Sequence, residues 1–280
     1  MTSTVVVTDS GADLPESIID ELDICIVPLE ILAYGQNQKD GVGLSVEQLF
    51  RTLKKESQDI SVREPDIGDF LEVYQSLSNK YKNIISIHGN TTFNNVAKKA
   101  TGAKEALSET KVSTIETQLF SLGLGSLVME IAKMAKSSNK KTKLVSYANN
   151  LKNDMLTYFL IEGSDTINAK LNKQLEKEND DVANTIYIIM IKSGKVEVVD
   201  CFKNRPKALE GLSKLAQSRF LNTAKYKVAI SYGDCLNDAL KLRESLEGGQ
   251  EYHELILSQV GAATGAHLGP KALGITTYPV

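Results

Sequence analysis

Short β-branched runs alternate along this chain with longer stretches whose apolar residues recur at helical spacing. Val5 to Val7, Ile24 to Val27, Ile84 to Ile87 and Val112 to Ile115 read as strands. Val96, Ala100, Ala103 and Leu107 fall on one face of a helix that begins near Phe93. Leu119 to Ala135 is apolar on most sides, the pattern of a helix buried between layers. Leu144, Ala148, Leu151, Met155 and Phe159 make a third helical stripe. Strands alternating with helices predict a mostly parallel, Rossmann-like sheet with helices on its faces.

The second half has a different rhythm. Ile186 to Ile191 and Val196 to Val199 flank Lys-Ser-Gly-Lys, a hairpin signal. A helix with Leu209, Leu212, Leu215 and Phe220 on one side follows. After it come a strand at Val228 to Ile230, a helix near Leu236 to Leu246 and a strand at Leu255 to Leu257. A hairpin beside crossover helices predicts an α+β domain with a mixed or antiparallel sheet. The most polar stretch, Lys170 to Asp181, marks the boundary region. The expected organisation is an α/β protein of two domains, residues 1–160 and 161–280.

Composition narrows the class. With 42% hydrophobic and 24% charged residues, the chain is globular. A net charge of -3 without a basic run gives nucleic acid nothing to bind. Cys25, Cys201 and Cys235 are widely separated and odd in number, which predicts reduced thiols in a cytoplasm. The start of the chain lacks the basic and apolar regions of a signal peptide, and Ile186 to Ile191 is too short to cross a bilayer.

In an open parallel sheet, ligands collect beyond the carboxyl ends of the strands. Three polar clusters fall there. Thr8 to Asp13 follows the first strand, but an aspartate-nucleophile phosphatase needs a second Asp where Gly11 stands. Asp9 and Asp13 are expected to cap the helix beginning near Pro15. His88 to Asn95 gathers hydroxyls, amides and helix N–H groups that suit a carboxylate or phosphate, or that simply cap a helix. Thr117 to Ser126 lacks the third glycine of a dinucleotide fingerprint, so Gly123 and Gly125 are expected to permit close packing at the start of the buried helix.

The last twenty residues add Gly265-Ala266-His267-Leu268-Gly269-Pro270-Lys271, with one of only three histidines. Read alone, the segment is a C-terminal turn presenting a surface histidine. Ser10 or Ser121 with His267 and Asp9 would make a hydrolase triad, but no serine lies in a Gly-x-Ser-x-Gly elbow. His88, His253 and His267 have no metal-ligand spacing. No catalytic residue, metal or cofactor is therefore assigned.

In order along the chain, these segments resemble the DegV family, bacterial lipid-binding proteins with two α/β domains. Thr8-Asp9-Ser10 matches the family's opening strand and turn, and Pro65 to Phe70 resembles the end of its Thr-Ser-Gln-Pro-Ser-x-Gly-Asp-Phe segment. Asn90-Thr91-Thr92-Phe93 stands at its Ser-Gly-Thr-Tyr. Glu116-Thr117 with Ser121 to Gly125 resembles its Asp-Ser-x-x-x-Ser-x-Gly-x-Gly, and Gly265 to Pro270 its closing Gly-x-His-x-Gly-Pro-Gly.

The resemblance implies a carrier of a long-chain fatty acid, with the ligand's carboxylate at the interdomain cleft and some members presenting it to a separate fatty acid kinase. It implies a head-group shell of His267, Thr92, Asn90, Thr91, and Arg63 or Ser61. Lys203 and Arg205 lie near the family's basic segment, where a kinase would touch. Departures fall on that shell. Val62 stands at the family's carboxylate-binding threonine and Arg63 at the next serine, with Ser61 one residue away. Asn90 replaces a serine, Gly163-Ser164-Asp165 stands for Gly-Gly-Arg, and Lys271 replaces the last glycine. Two alternatives stay open. One is an enzyme using Asp9 or Ser10 beside His267 on a small anionic substrate. The other is an interaction module without lipid.

Overall fold

The structure is a computed structural model that describes residues 2–33, 35–53, 60–107, 111–137, 140–165, 169–219, 225–247 and 254–279. Its first half runs β1 (Thr2–Asp9), α1 (Glu16–Leu22), β2 (Ile24–Val27), β3 (Glu30–Ala33), β4 (Gln36–Lys39), α2 (Val46–Leu53), β5 (Ser61–Arg63), α3 (Ile67–Ser78), β6 (Tyr81–Gly89), α4 (Val96–Ala106) and β7 (Val112–Thr117). Strands β2-β1-β6-β7 form a parallel sheet, as the alternating pattern predicts. The short strands β4-β3-β5 make a separate antiparallel ribbon that the pattern did not reveal. Three or four residues carry too little periodicity to read.

Two helices, α5 (Leu122–Ser137) and α6 (Lys141–Asp154), lead into the second half. There follow β8 (Leu156–Glu162), α7 (Ala169–Glu178), β9 (Ile186–Lys192), β10 (Lys195–Phe202), α8 (Arg205–Ser218), β11 (Tyr226–Tyr232), α9 (Leu236–Glu247), β12 (Glu254–Gln259), α10 (Ala262–Leu268) and β13 (Leu273–Pro279). The second sheet has the order β10-β9-β8-β13-β11-β12 and is antiparallel except for β11 and β12, which gives the expected mixed sheet.

Several local expectations change. Phe159 does not continue a helical stripe, because α6 ends at Asp154 and Phe159 lies in β8. A cut after residue 160 would pass through β8, a central strand of the second sheet. The polar stretch from Lys170 is mostly the helix α7, whose Leu171 and Leu175 are fully buried beneath a charged outer face. Phe220 and His253 lie outside the described residues. Helix α4 starts at Val96 rather than Phe93, with the Asn95 side chain accepting from the Lys98 N–H.

Packing explains why the two sheets sit together. Helix α5 places Leu127, Val128 and Ile131 in one core with Val6, Ile85 and Ile87 of the first sheet and Ala229 and Tyr278 of the second. Gly125 sits where a Cβ would lie 2.3 Å from the Ala12 carbonyl oxygen, so the expected close approach is real. On the second sheet, residues alternate between two apolar layers. Tyr158, Leu160 and Ile188 face α8 and α9, while Phe159, Ile161, Tyr187 and Ile189 face Phe93, Phe120 and α7.

Candidate functional site

The closing motif is a helix rather than a turn. Helix α10 is buried along its whole length, and His267 is only 7% exposed. Its alanines pack into the first half's core with Leu29, Ile31 and Phe50, while Leu268 joins the layer containing Phe120 and Phe159. One short helix therefore spans the junction between the two halves and sets His267 at its end. The imidazole ring lies 5.0 Å from the Phe93 ring and 6.2 Å from the Phe120 ring. Burial pushes its pKa down to about 4, with Glu64 opposing the fall and Lys170 adding to it. At neutral pH it is an uncharged ring that can donate from one nitrogen and accept at the other.

Residues 90 to 95 form the loop beside it. Asn90 donates its side-chain amide to Glu116 Oε1 at 2.7 Å, and its backbone N–H to the Thr117 carbonyl. Thr91 Oγ1 accepts from the Phe93 N–H at 3.2 Å, an arrangement that leaves its hydroxyl proton to be donated. Thr92 points elsewhere. Its N–H and its hydroxyl both donate to the carbonyl of Gly194, at 2.7 and 3.2 Å. Gly194 lies in the β9–β10 turn, so Thr92 fastens the loop to the second sheet.

Ser61 and Arg63 are solvent-exposed on β5, with Val62 between them packed toward the core. The bond that reaches the loop from this strand comes from the next residue: Glu64 Oε1 accepts the Asn95 N–H at 3.0 Å. Glu64 and Lys170 are the charges that act on His267, and neither stands out in the sequence. Glu64 precedes a proline in an unremarkable segment, and Lys170 sits in a run of charges that resembles any solvated face.

The acidic cluster after β1 also departs from expectation. Asp9 caps a single 3-10 turn at Ser10–Ala12, accepting from the Gly11 N–H, and its other oxygen meets His88 Nδ1 at 2.7 Å. Asp13 does not cap α1. It accepts from the Gly261 N–H at 2.8 Å and the Ser121 hydroxyl at 2.5 Å. Asp9 and Ser10 are thus engaged with His88 and the Leu29 N–H, while aromatic rings flank His267. Arg205 bridges Glu162, Asp238 and the Lys271 carbonyl, whereas Lys203 is an exposed side chain paired with Asp181.

This architecture has relatives. The chain is 24% identical over 277 residues to a DegV domain-containing protein of Caldanaerobacter subterraneus, covering 98% of each chain. It superposes on a DegV family protein from Thermus thermophilus, described as binding fatty acid, with a TM-score of 0.89 at 20% identity, covering 99% of this chain and 100% of that one. A stearic-acid-binding protein from Eubacterium ventriosum matches with a TM-score of 0.84 at 17% identity, covering 98% and 97%. The family model described as "Uncharacterised protein, DegV family" matches residues 3–280. The chain belongs to the DegV family.

Proposed function

We propose that this protein is a non-catalytic carrier of a long-chain fatty acid that works in the cytoplasm, and that it holds the carboxylate between the 90–95 loop and the end of α10. In this reading the chain has two domains, divided ahead of β8 rather than after residue 160 so that the second sheet stays whole, and the ligand lies between them. The carrying observation is the neutral, buried His267 set against Phe93 and Phe120, two rings of an apolar layer that also contains Phe159, Ile161 and Leu268. Each buried methylene of the tail contributes about 0.8 kcal/mol, so a long chain binds firmly through that layer alone. The carboxylate needs donors, because burying it unpaired is prohibitive. His267, Thr91 and Asn90 supply them, Thr92 positions the loop, and Lys170 supplies positive charge. Ser61 and Arg63 lie on the adjoining strand, at the solvent side. The binding of fatty acids by family relatives from Thermus thermophilus and Eubacterium ventriosum supports the reading. A fatty acid kinase would meet the carboxylate at this edge, with the exposed Lys203 in reach of a partner.

Two substitutions test the head-group assignment. His267→Ala removes a donor to a charged group, a loss of about 1.5–3 kcal/mol, so fatty-acid affinity falls roughly 10- to 100-fold. Glu64→Gln removes a like charge from the neighbourhood and tightens binding. Fluorescent fatty-acid displacement reads both, and unchanged affinity in the histidine variant would remove His267 from the site.

A further inference from the structure

A second polar site lies at the opposite end of α10. From the cleft there, we infer that the protein binds a small organic cation, an ammonium group carried on a short apolar body. The cleft has a volume of about 420 Å³, within the range of small-molecule sites. Asp9, Asp13 and Asp40 line it and are 1%, 5% and 4% exposed, and Glu16 lies at its edge. No Lys, Arg or His side chain is among its described lining residues.

The three carboxylates are unequally satisfied. Asp9 and Asp13 each use both oxygens, on Gly11 and His88 and on Gly261 and Ser121 respectively. Asp40 Oδ1 accepts the Ala262 N–H at 3.1 Å. Asp40 Oδ2 is buried without a hydrogen-bond partner. Burial pushes the Asp40 carboxyl above the usual carboxylate range, with the nearby Ser10 hydroxyl and the Ala263 and Ala262 N–H groups opposing the rise. An unpaired, buried carboxylate oxygen is expensive and calls for a positive donor. A Cβ on Gly261 would lie 3.2 Å from Asp13 Oδ1 and 3.3 Å from Asp40 Oδ2, so these oxygens converge over a residue that contributes no side chain.

The remaining walls set the ligand class. Ile19, Ile26 and Pro28 form an apolar side, and Val42 is 81% exposed. A bare metal ion would find no use for that side. The described residues also contain no group of three acidic, cysteine or imidazole ligands placed to share a metal. An alkylammonium presents three N–H donors to the carboxylates and its carbons to the isoleucines.

The test is calorimetric titration of the intact chain at pH 8.5, above the raised Asp13 pKa of about 7, with n-butylammonium chloride at low ionic strength and with n-butanol and magnesium chloride in parallel. The expected result is saturable butylammonium binding with a Kd at or below about 1 mM. Asp40→Asn, which keeps the Oδ1 contact to Ala262, is expected to weaken it roughly tenfold or more while fatty-acid uptake persists. Asp13→Asn is the second variant if Asp40→Asn does not fold. Absence of saturable butylammonium binding overturns the proposal. So does equal binding of butanol, saturation by magnesium in place of butylammonium, or butylammonium binding that survives both substitutions.

Discussion

Gly194→Ala is expected to lower folding stability by about 3 kcal/mol, combining left-handed strain with overpacking. It should also weaken fatty-acid binding roughly tenfold or more. Ser193 and Gly194 are the two central residues of the β9–β10 hairpin, with φ of 50° and 72°, the positive pair that a tight two-residue hairpin requires. Glycine adopts this backbone without cost and alanine does not. The second contribution is steric. A Cβ at 194 would lie 2.6 Å from the Asn90 carbonyl oxygen, so alanine must push the 90–95 loop away. That loop carries Asn90 and Thr91, and its tether is the pair of bonds from Thr92 to the Gly194 carbonyl. Ser193→Asn is the control, because Asn-Gly is the preferred pair for this turn. It should leave binding unchanged and raise stability slightly. Urea unfolding and fatty-acid titration on the three proteins decide the matter. A Gly194→Ala protein with wild-type stability and affinity would show that hairpin and loop are not coupled.

Asp13→Asn should change the pH dependence of stability by an amount of the order of 4 kcal/mol between acid and neutral pH. Burial, opposed mainly by the Ser121 and Gly261 hydrogen bonds, raises the Asp13 pKa from 3.8 to about 7. The folded protein therefore keeps a proton there that the unfolded chain gives up above pH 4. Wild-type stability accordingly falls through this group as pH rises from about 4 to about 7, at about 1.4 kcal/mol per pH unit. His267 works the other way. Its folded pKa of about 4 lies below the unfolded 6.5, so its contribution is present above pH 6.5 and is lost as pH falls toward 4. In the wild type the two slopes oppose each other between pH 4 and 6.5. Asparagine at 13 removes the first and accepts the existing left-handed backbone at φ 51°. The variant should thus gain stability relative to wild type with every step from pH 4.5 to 7.5. Urea melts across that range measure it, and a pH-independent difference would mean that Asp13 is ionised throughout.

Legibility followed the length of the signal. Sheet strands such as Val5 to Val7 and the long stripes of α4, α5 and α8 announce themselves, because period 2 and period 3.6 are distinct over many residues. The 192–195 hairpin was equally plain, since two positive φ angles demand its Ser-Gly centre. Helix α10 was missed because Ala-Ala-Thr-Gly-Ala-His-Leu, buried on every side, has no polar face to set a period. Strand β8 was hidden by Met155 and Phe159 falling in phase with the preceding helix. At the candidate site, motif resemblance pointed to the 90–95 loop and His267, but the directions of their bonds were beyond reach. Thr92 facing the hairpin and Glu64 reaching the loop depend on contacts more than 30 residues apart in the chain.

The central claim is that the apolar layer behind His267 holds a fatty acid. The most direct test is native mass spectrometry of the freshly purified protein, followed by extraction and lipid analysis. The account predicts one long-chain fatty acid per chain, depleted in His267→Ala and Gly194→Ala. A protein that emerges empty and takes up no added fatty acid would contradict it.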